Sequence, residues 1–110
     1  MHVTIFQLLR VIELASAADP DLVTLAAEPG ATVRGGRAGG LDLVELAGNA
    51  ATGPTLAALE HALGPSSSVP RVPGLRRTIV AFAPRGRIAV YAYLDDETGR
   101  AAELLVRRDY

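Results

Sequence analysis

Two arginines in the last third of the chain are the residues best placed to do chemistry. Arg87 opens an apolar, β-prone run, and Arg107 lies near the end of the next such run. Guanidinium groups bind phosphate and other oxyanions through bidentate, charge-assisted hydrogen bonds. Two such groups at facing positions of neighbouring strands would form an anion site. The competing interpretation is that both side chains fan apart into solvent and that Glu103 partly neutralises one of them.

The elements that would position this pair are three β-prone runs joined by two turns. Residues 78–83 and 87–94 flank a Pro-Arg-Gly turn, and the acidic residues 95–99 separate the second run from residues 100–110. Proline, glycine and aspartate at these points are typical of hairpin turns. The pattern predicts three antiparallel strands. The Ala, Glu, Leu and Arg content of residues 98–108 also favours a helix there, which would dissolve the arginine pair.

Alternation of side chains along the strands predicts which residues share a face. A two-residue turn at Arg85-Gly86 creates one apolar face, formed by Ile79, Ala81, Ala83, Ile88, Val90, Ala92 and Leu94. A five-residue second turn extends that face with Ala102, Leu104 and Val106. A four-residue turn would instead bury Glu103 and Arg107, which is unfavourable. The five-residue turn therefore predicts that Arg87 lies directly opposite Arg107 on the other face.

The first two thirds of the chain predict helices and loops. Thr4 and Gln7 match a capping box, and apolar residues at helical spacing follow them. Residues 21–28 fit either a short helix or a strand. The other predicted elements are a helix over 5–17, a glycine-rich loop over 30–40, helices over 41–51 and 56–63, and a polar connector over 66–73. These elements predict a single small α+β domain over residues 1–110, with N-terminal helices packed on a C-terminal three-stranded antiparallel sheet.

Composition and charge exclude several classes of function. The eleven basic residues are all arginine and the net charge is −1, which argues against a protein that coats nucleic acid non-specifically. Arginine without lysine, in a chain rich in Ala and Gly, indicates a high-GC bacterial or phage genome. Without cysteine there are no disulfides or thiolate sites, and no residue spacing indicates another metal or cofactor. No uncharged apolar run reaches about 18 residues, so we expect a cytoplasmic protein that does not cross the membrane.

Several features of the C-terminal half together carry a family resemblance. They are a helix containing Leu56-Ala57-Ala58-Leu59-Glu60, the sequence Gly74-Leu75-Arg76, a hairpin that includes Val90-Tyr91, the acidic turn Asp95-Asp96-Glu97 and the ending Arg107-Arg108-Asp109-Tyr110. Over residues 54–110 the chain resembles the RelE/ParE toxin superfamily. The match is a pattern of strands and turn residues, and the helix would correspond to the second helix of those proteins.

This resemblance implies a toxin of a toxin–antitoxin pair whose arginine-bearing sheet face engages RNA or a protein target. In RelE-like members such a face cuts ribosome-bound messenger RNA without a metal. By position, Arg87, Arg107 and Arg108 would be the phosphate-binding or acid/base candidates, and Tyr110 would be the terminal aromatic. The implied partners are a cognate antitoxin or another protein, and RNA on the ribosome.

The chain departs from this family in three respects. Residues 19–53 are rich in Ala and Gly, where the family usually carries a charged helical hairpin. The chain is not basic, as RNA-cleaving members tend to be. It also has no lysine, so proton transfer would fall to arginine, which barely deprotonates. These departures leave a ParE-like, protein-targeting or degenerate member open beside a nuclease.

A non-enzymatic role fits the same predicted elements. Helices followed by a three-stranded sheet also suit small α+β dimerisation scaffolds, such as roadblock-like signalling proteins or small phage structural proteins. Tyr91 and Tyr93 share a sheet face, where they would either stack on bases or be covered by the N-terminal helix. The sequence therefore leaves open a toxin-like module and an interaction module, including one that forms a homodimer.

Overall fold

The structure, a computed structural model, describes residues 4–35, 41–49, 51–70, 74, 77–84 and 86–108. The helices in this part of the chain are α1 (Ile5–Ser16), α2 (Leu22–Ala26) and α3 (Leu56–Leu63). The strands are β1 (Ala31–Gly35), β2 (Leu41–Ala47), β3 (Ser66–Ser68), β4 (Arg77–Phe82), β5 (Ile88–Asp95) and β6 (Ala101–Arg108). None of the described helices is long and apolar enough to span a membrane.

All six strands form one antiparallel sheet in the order β1-β2-β6-β5-β4-β3. The predicted three-stranded sheet is wrong, because β6 also pairs with β2, and β4 also pairs with β3. The predicted order β4-β5-β6 is present as part of this wider sheet. The assignment to the α+β class is confirmed at this coarser level.

All three added strands come from segments with other predictions, and β1 occupies residues that were predicted as part of the glycine-rich loop over 30–40. The segment predicted as a helix over 41–51 contains β2, in which Leu41, Val44 and Leu46 are fully buried. Its apolar spacing fits a helix as well as a strand. This segment is a strand because it forms backbone hydrogen bonds with β1 on one side and β6 on the other, and such tertiary pairing overrides local preference. The polar connector over 66–73 contains β3, a short edge strand.

Each helix begins at a side-chain cap. The hydroxyl oxygens of Thr4 and Thr55 accept hydrogen bonds from the backbone N–H groups three residues later, which starts α1 at the predicted cap and α3 at a cap that was not predicted. Asp21 caps α2, so residues 21–28 contain the short helix and not the alternative strand. Hydrogen bonds from the Thr24 hydroxyl and from nearby backbone N–H groups lower the pKa of the exposed Asp21 carboxyl.

All three helices bury apolar side chains in one core on a single face of the sheet. They contribute Leu8, Val11, Ile12, Ala15, Leu25, Leu59 and Leu63. The strands contribute Leu41, Val44, Leu46, Val80, Phe82, Ile88, Val90, Ala92, Leu94, Ala101, Leu104 and Val106. Apart from the irregularities near Asp42 and Ala102, side chains alternate along the strands, so the residues between these point to the opposite face. Among the described residues, that opposite face supplies no member of this core cluster.

Candidate interaction surface

The pairing of β5 with β6 decides where the predicted arginine pair lies. Arg107 lies opposite Ala89, and Arg87 lies in the turn that precedes β5, outside the paired residues. The predicted cross-strand pair of Arg87 and Arg107 is therefore wrong. The strands are displaced by two residues from the predicted register. A two-residue displacement keeps the same side chains on each face, so the predicted faces of β5 and β6 survive it, except that Ala101 and not Ala102 belongs to the core.

This displacement begins in the turn between β5 and β6. The backbone N–H of Asp95 donates to the carbonyl of Arg100 at 2.9 Å, so residues 96–99 form the turn and the predicted five-residue turn is wrong. The segment after the turn is strand β6, so the alternative of a helix over 98–108 is wrong as well.

A β-bulge at the start of β6 corrects the effect of the shorter turn. Leu94 pairs with Ala101, whereas Tyr93 pairs with Glu103, so Ala102 is the extra residue. Without the bulge, a turn of this length would direct Glu103 and Arg107 into the core, where unpaired charges are costly. With it, Glu103 is only half-buried and Arg107 is exposed.

Arg108 lies on the core side of the sheet, opposite to Arg107. Its side chain is buried, with the residue 5% exposed, and its guanidinium group contacts the C-terminal end of α1. It donates to the carbonyl oxygen of Ala15 at 2.6 Å and also to those of Ala17 and Ala18. The last carbonyls of a helix lack partners within the helix, and a cation there is favoured by the helix dipole. These contacts join the end of β6 to the end of α1.

The register of β4 differs from its prediction by one residue. Ile79 pairs with Tyr93, and Ala81 pairs with Tyr91. Ile79 and Ala81 therefore share the face of the two tyrosines, and the prediction that they belong to the core face is wrong. The core takes Val80 and Phe82 instead, each 4% exposed. Phe82 is the largest apolar side chain of this strand. Because residues two apart share a face, placing Phe82 in the core would have predicted that Val80 lies there too and that Ile79 and Ala81 lie on the other face.

We call the face of the sheet opposite the core the open face, and it carries an apolar strip. Its apolar members are half-buried and come from β2, β6, β5, β4 and the residue after β3: Leu43, Leu105, Tyr91, Tyr93, Ile79 and Val69. Leu105 lies opposite Tyr91, and Tyr93 lies opposite Ile79, so the strip runs across neighbouring strands. With Asp42 and Arg107 these residues line a pocket of about 330 Å³.

Charged side chains of both signs surround this strip. Arg34 Nε contacts a carboxylate oxygen of Glu45 at 3.0 Å on the β1–β2 side. Arg77 contacts a carboxylate oxygen of Glu103 at 3.5 Å at the opposite end of the strip from Arg107. All four of these side chains are at least partly exposed, so each ion pair is weak and its groups remain accessible to a partner. The open face is therefore an aromatic and aliphatic strip with a polar rim.

Of the three predicted site residues that the structure describes, Arg87 and Arg108 line a common pocket with Ser16, Ala18 and Gly86, whereas Arg107 lies in the pocket on the open face. Arg87 lies in a turn, Arg107 lies on the open face and Arg108 lies in the core, while Tyr110 is outside the described residues. Sequence reasoning named Tyr91 and Tyr93 but missed Ile79 and Leu105 as members of the same surface. No family model, curated protein or solved structure matches the chain. The resemblance to the RelE/ParE superfamily therefore stays a prediction.

Proposed function

We propose that this protein is a non-enzymatic interaction module that binds a protein partner through its open face. The observation that carries the proposal is the half-buried strip on the sheet face that contributes nothing to the core. Exposed single apolar residues are ordinary on protein surfaces, but a contiguous apolar strip with a polar rim is typical of interaction sites.

The composition of the strip supports protein binding. Tyr91 and Tyr93 each present a ring and a hydroxyl, and tyrosine is enriched among residues that dominate binding energy. Leu105 and Ile79 lie directly beside the two rings across the strands. The backbone of β5 and β6 is held by pairing on both sides, so these side chains stand on a rigid surface. Binding to a preformed surface costs less conformational entropy than binding to a loop.

Photo-cross-linking in cells would test this proposal. With p-benzoylphenylalanine in place of Tyr91, irradiation is expected to produce a cross-linked protein adduct, because the ring lies at the centre of the open face. The matched control places the same group at Phe6, which is 78% exposed but lies on α1. Adducts at position 91 that do not exceed those at position 6 would contradict the proposal.

A second candidate function is the toxin-like module that engages RNA or a protein target. One observation favours it: Arg107 and the two tyrosines line the same pocket, which combines a phosphate-binding group with stacking surfaces. Induced expression is then expected to arrest growth, and Arg107→Ala is expected to relieve the arrest. Phe6→Ala, on the helical side of the molecule, serves as the control. Growth that is unaffected by the wild-type protein would exclude this candidate.

A further inference from the structure

We infer that the partner on the open face is a second copy of this chain, bound sheet to sheet as a two-fold symmetric dimer. This inference rests on the proposed function and names its partner. In such an interface the same patch is used by both copies, so the patch must be complementary to itself.

The size of the open face fits this partner. β5 and β6 have 8 residues each, and β2 and β4 have 7 and 6. At about 3.4 Å per residue and about 4.8 Å between strands, these four strands present roughly 500 Å² per copy. Two copies would bury about 1,000 Å² in total, the lower limit for a specific interface, even before the additional area of the uneven side-chain surface is counted. A second copy presents a sheet of the same shape, which can pack on this area at the distance of about 10 Å seen in β-sandwiches.

The charges of the open face also fit a second copy. Among the described residues of this face, the three arginines Arg34, Arg77 and Arg107 stand against four acids, Asp42, Glu45, Asp95 and Glu103, so the two signs nearly cancel. A nearly balanced face meets its own copy with little net repulsion, whereas a strongly charged partner such as RNA requires a face of one sign. The charges of the rim therefore favour a second copy of this chain as the partner.

The order of the charges along β6 indicates how the two copies would be oriented. Glu103 and Arg107 lie on the same face at either side of Leu105. A two-fold axis that crosses the strands at the row of Leu105 and Tyr91 reverses the strand direction of the second copy. Each Arg107 then faces Glu103 of the other copy, and this contact occurs twice. Leu105 and Tyr91 meet their own counterparts at the centre, where binding energy is concentrated.

Analytical ultracentrifugation of the purified chain would test this dimer. The wild-type protein is expected to sediment at twice the 11.5 kDa chain mass, and Leu105→Glu is expected to raise the dissociation constant at least about 30-fold, the effect of losing a central hot-spot residue. Phe6→Glu, on the helical side, is expected to leave the dimer unchanged.

Charge reversal provides a second test that does not depend on a half-buried position. Arg107 is exposed, so Arg107→Glu is expected to keep the fold while weakening the dimer about 10-fold or more. Adding Glu103→Arg to that variant is expected to recover most of the loss, because the contact is then restored with its signs exchanged. A wild-type monomer at concentrations of about 100 μM, or failure of the double variant to recover, would overturn the dimer.

The cross-linking experiment separates the failure of this inference from the failure of the proposed function. An adduct at position 91 with twice the chain mass supports the dimer. An adduct with a different protein supports the interaction module and overturns the dimer. The absence of any protein adduct above the Phe6 control overturns both.

Discussion

Arg108→Ala is expected to lower the free energy of unfolding by about 3 kcal/mol, the largest effect of any arginine substitution in the described part of the chain. The guanidinium group is buried and donates to three carbonyl oxygens at the end of α1. Its removal leaves these acceptors without their charged donor and opens a cavity between α1 and β6. Urea unfolding monitored by circular dichroism would measure the change.

Arg107→Ala is the matched control for this experiment, because it removes the same side chain from the neighbouring residue. Arg107 is exposed, so at protein concentrations low enough to keep the chain monomeric the expected change in unfolding free energy is within about 0.5 kcal/mol. Equal losses for the two variants would show that the contacts of Arg108 with α1 do not stabilise the fold. The comparison also bears on the toxin-like candidate, since a loss of activity in Arg108→Ala would by itself reflect lost stability.

Gly48→Ala is expected to destabilise the fold by about 3 kcal/mol or more, at the upper end of the cost of overpacking. A β-carbon at this position would lie 2.2 Å from the carbonyl oxygen of Ala101 and 2.8 Å from the carbonyl carbon of Ala102. Both neighbours are backbone atoms of β6, so relief requires β2 and β6 to separate. The Gly48 N–H also donates to the Ala102 carbonyl at 3.0 Å, and that hydrogen bond would be lost on separation. Thermal unfolding would measure the effect.

Gly99→Asn distinguishes this steric effect from the general cost of replacing a glycine. Gly99 has a φ of 69°, and no atom lies within 4 Å of an added β-carbon. Asparagine tolerates the left-handed conformation better than most residues, so we expect a loss below about 1 kcal/mol. A loss at Gly99 as large as that at Gly48 would indicate that backbone conformation, and not the close approach of β6, explains the sensitivity of Gly48.

Local signals in the sequence predict the elements that depend mainly on their own residues. The hydroxyl cap at Thr4 and the apolar spacing after it predict α1, and the apolar spacing over residues 56–63 predicts α3. The β-prone runs predict β4, β5 and β6 in the correct order. In contrast, β2 has a spacing that fits two structures, and the three serines of β3 have no apolar pattern at all. These two strands exist because they pair with β6 and β4, and no local pattern records such pairing.

The candidate site was harder to predict than the elements, because it depends on register. Hydrophobic alternation predicts the faces of β5 and β6, but it cannot distinguish registers that differ by two residues. The four-residue turn and the bulge at Ala102 together make that difference, and with it the arginine pair disappears. For β4, a choice based on the number of apolar residues favours Ile79 and Ala81, whereas the larger side chain of Phe82 occupies the core. Side-chain volume would have been the better guide at this strand.

The position of β6 in the sheet has a consequence for the order of events during synthesis. This strand is the last element of the described chain, yet it lies between β2 and β5 at the centre of the sheet. Until β6 has been synthesised, β1 and β2 can form only one hairpin, and β3, β4 and β5 can form only a separate group. The edges of β2 and β5 that later pair with β6 are then unpaired. The hydrogen bond from Arg108 to Ala15 spans 93 positions of the chain, so this contact of α1 also forms only after the same strand. Such non-local closure makes folding slow and late, and two unpaired strand edges stay open to wrong partners in the meantime.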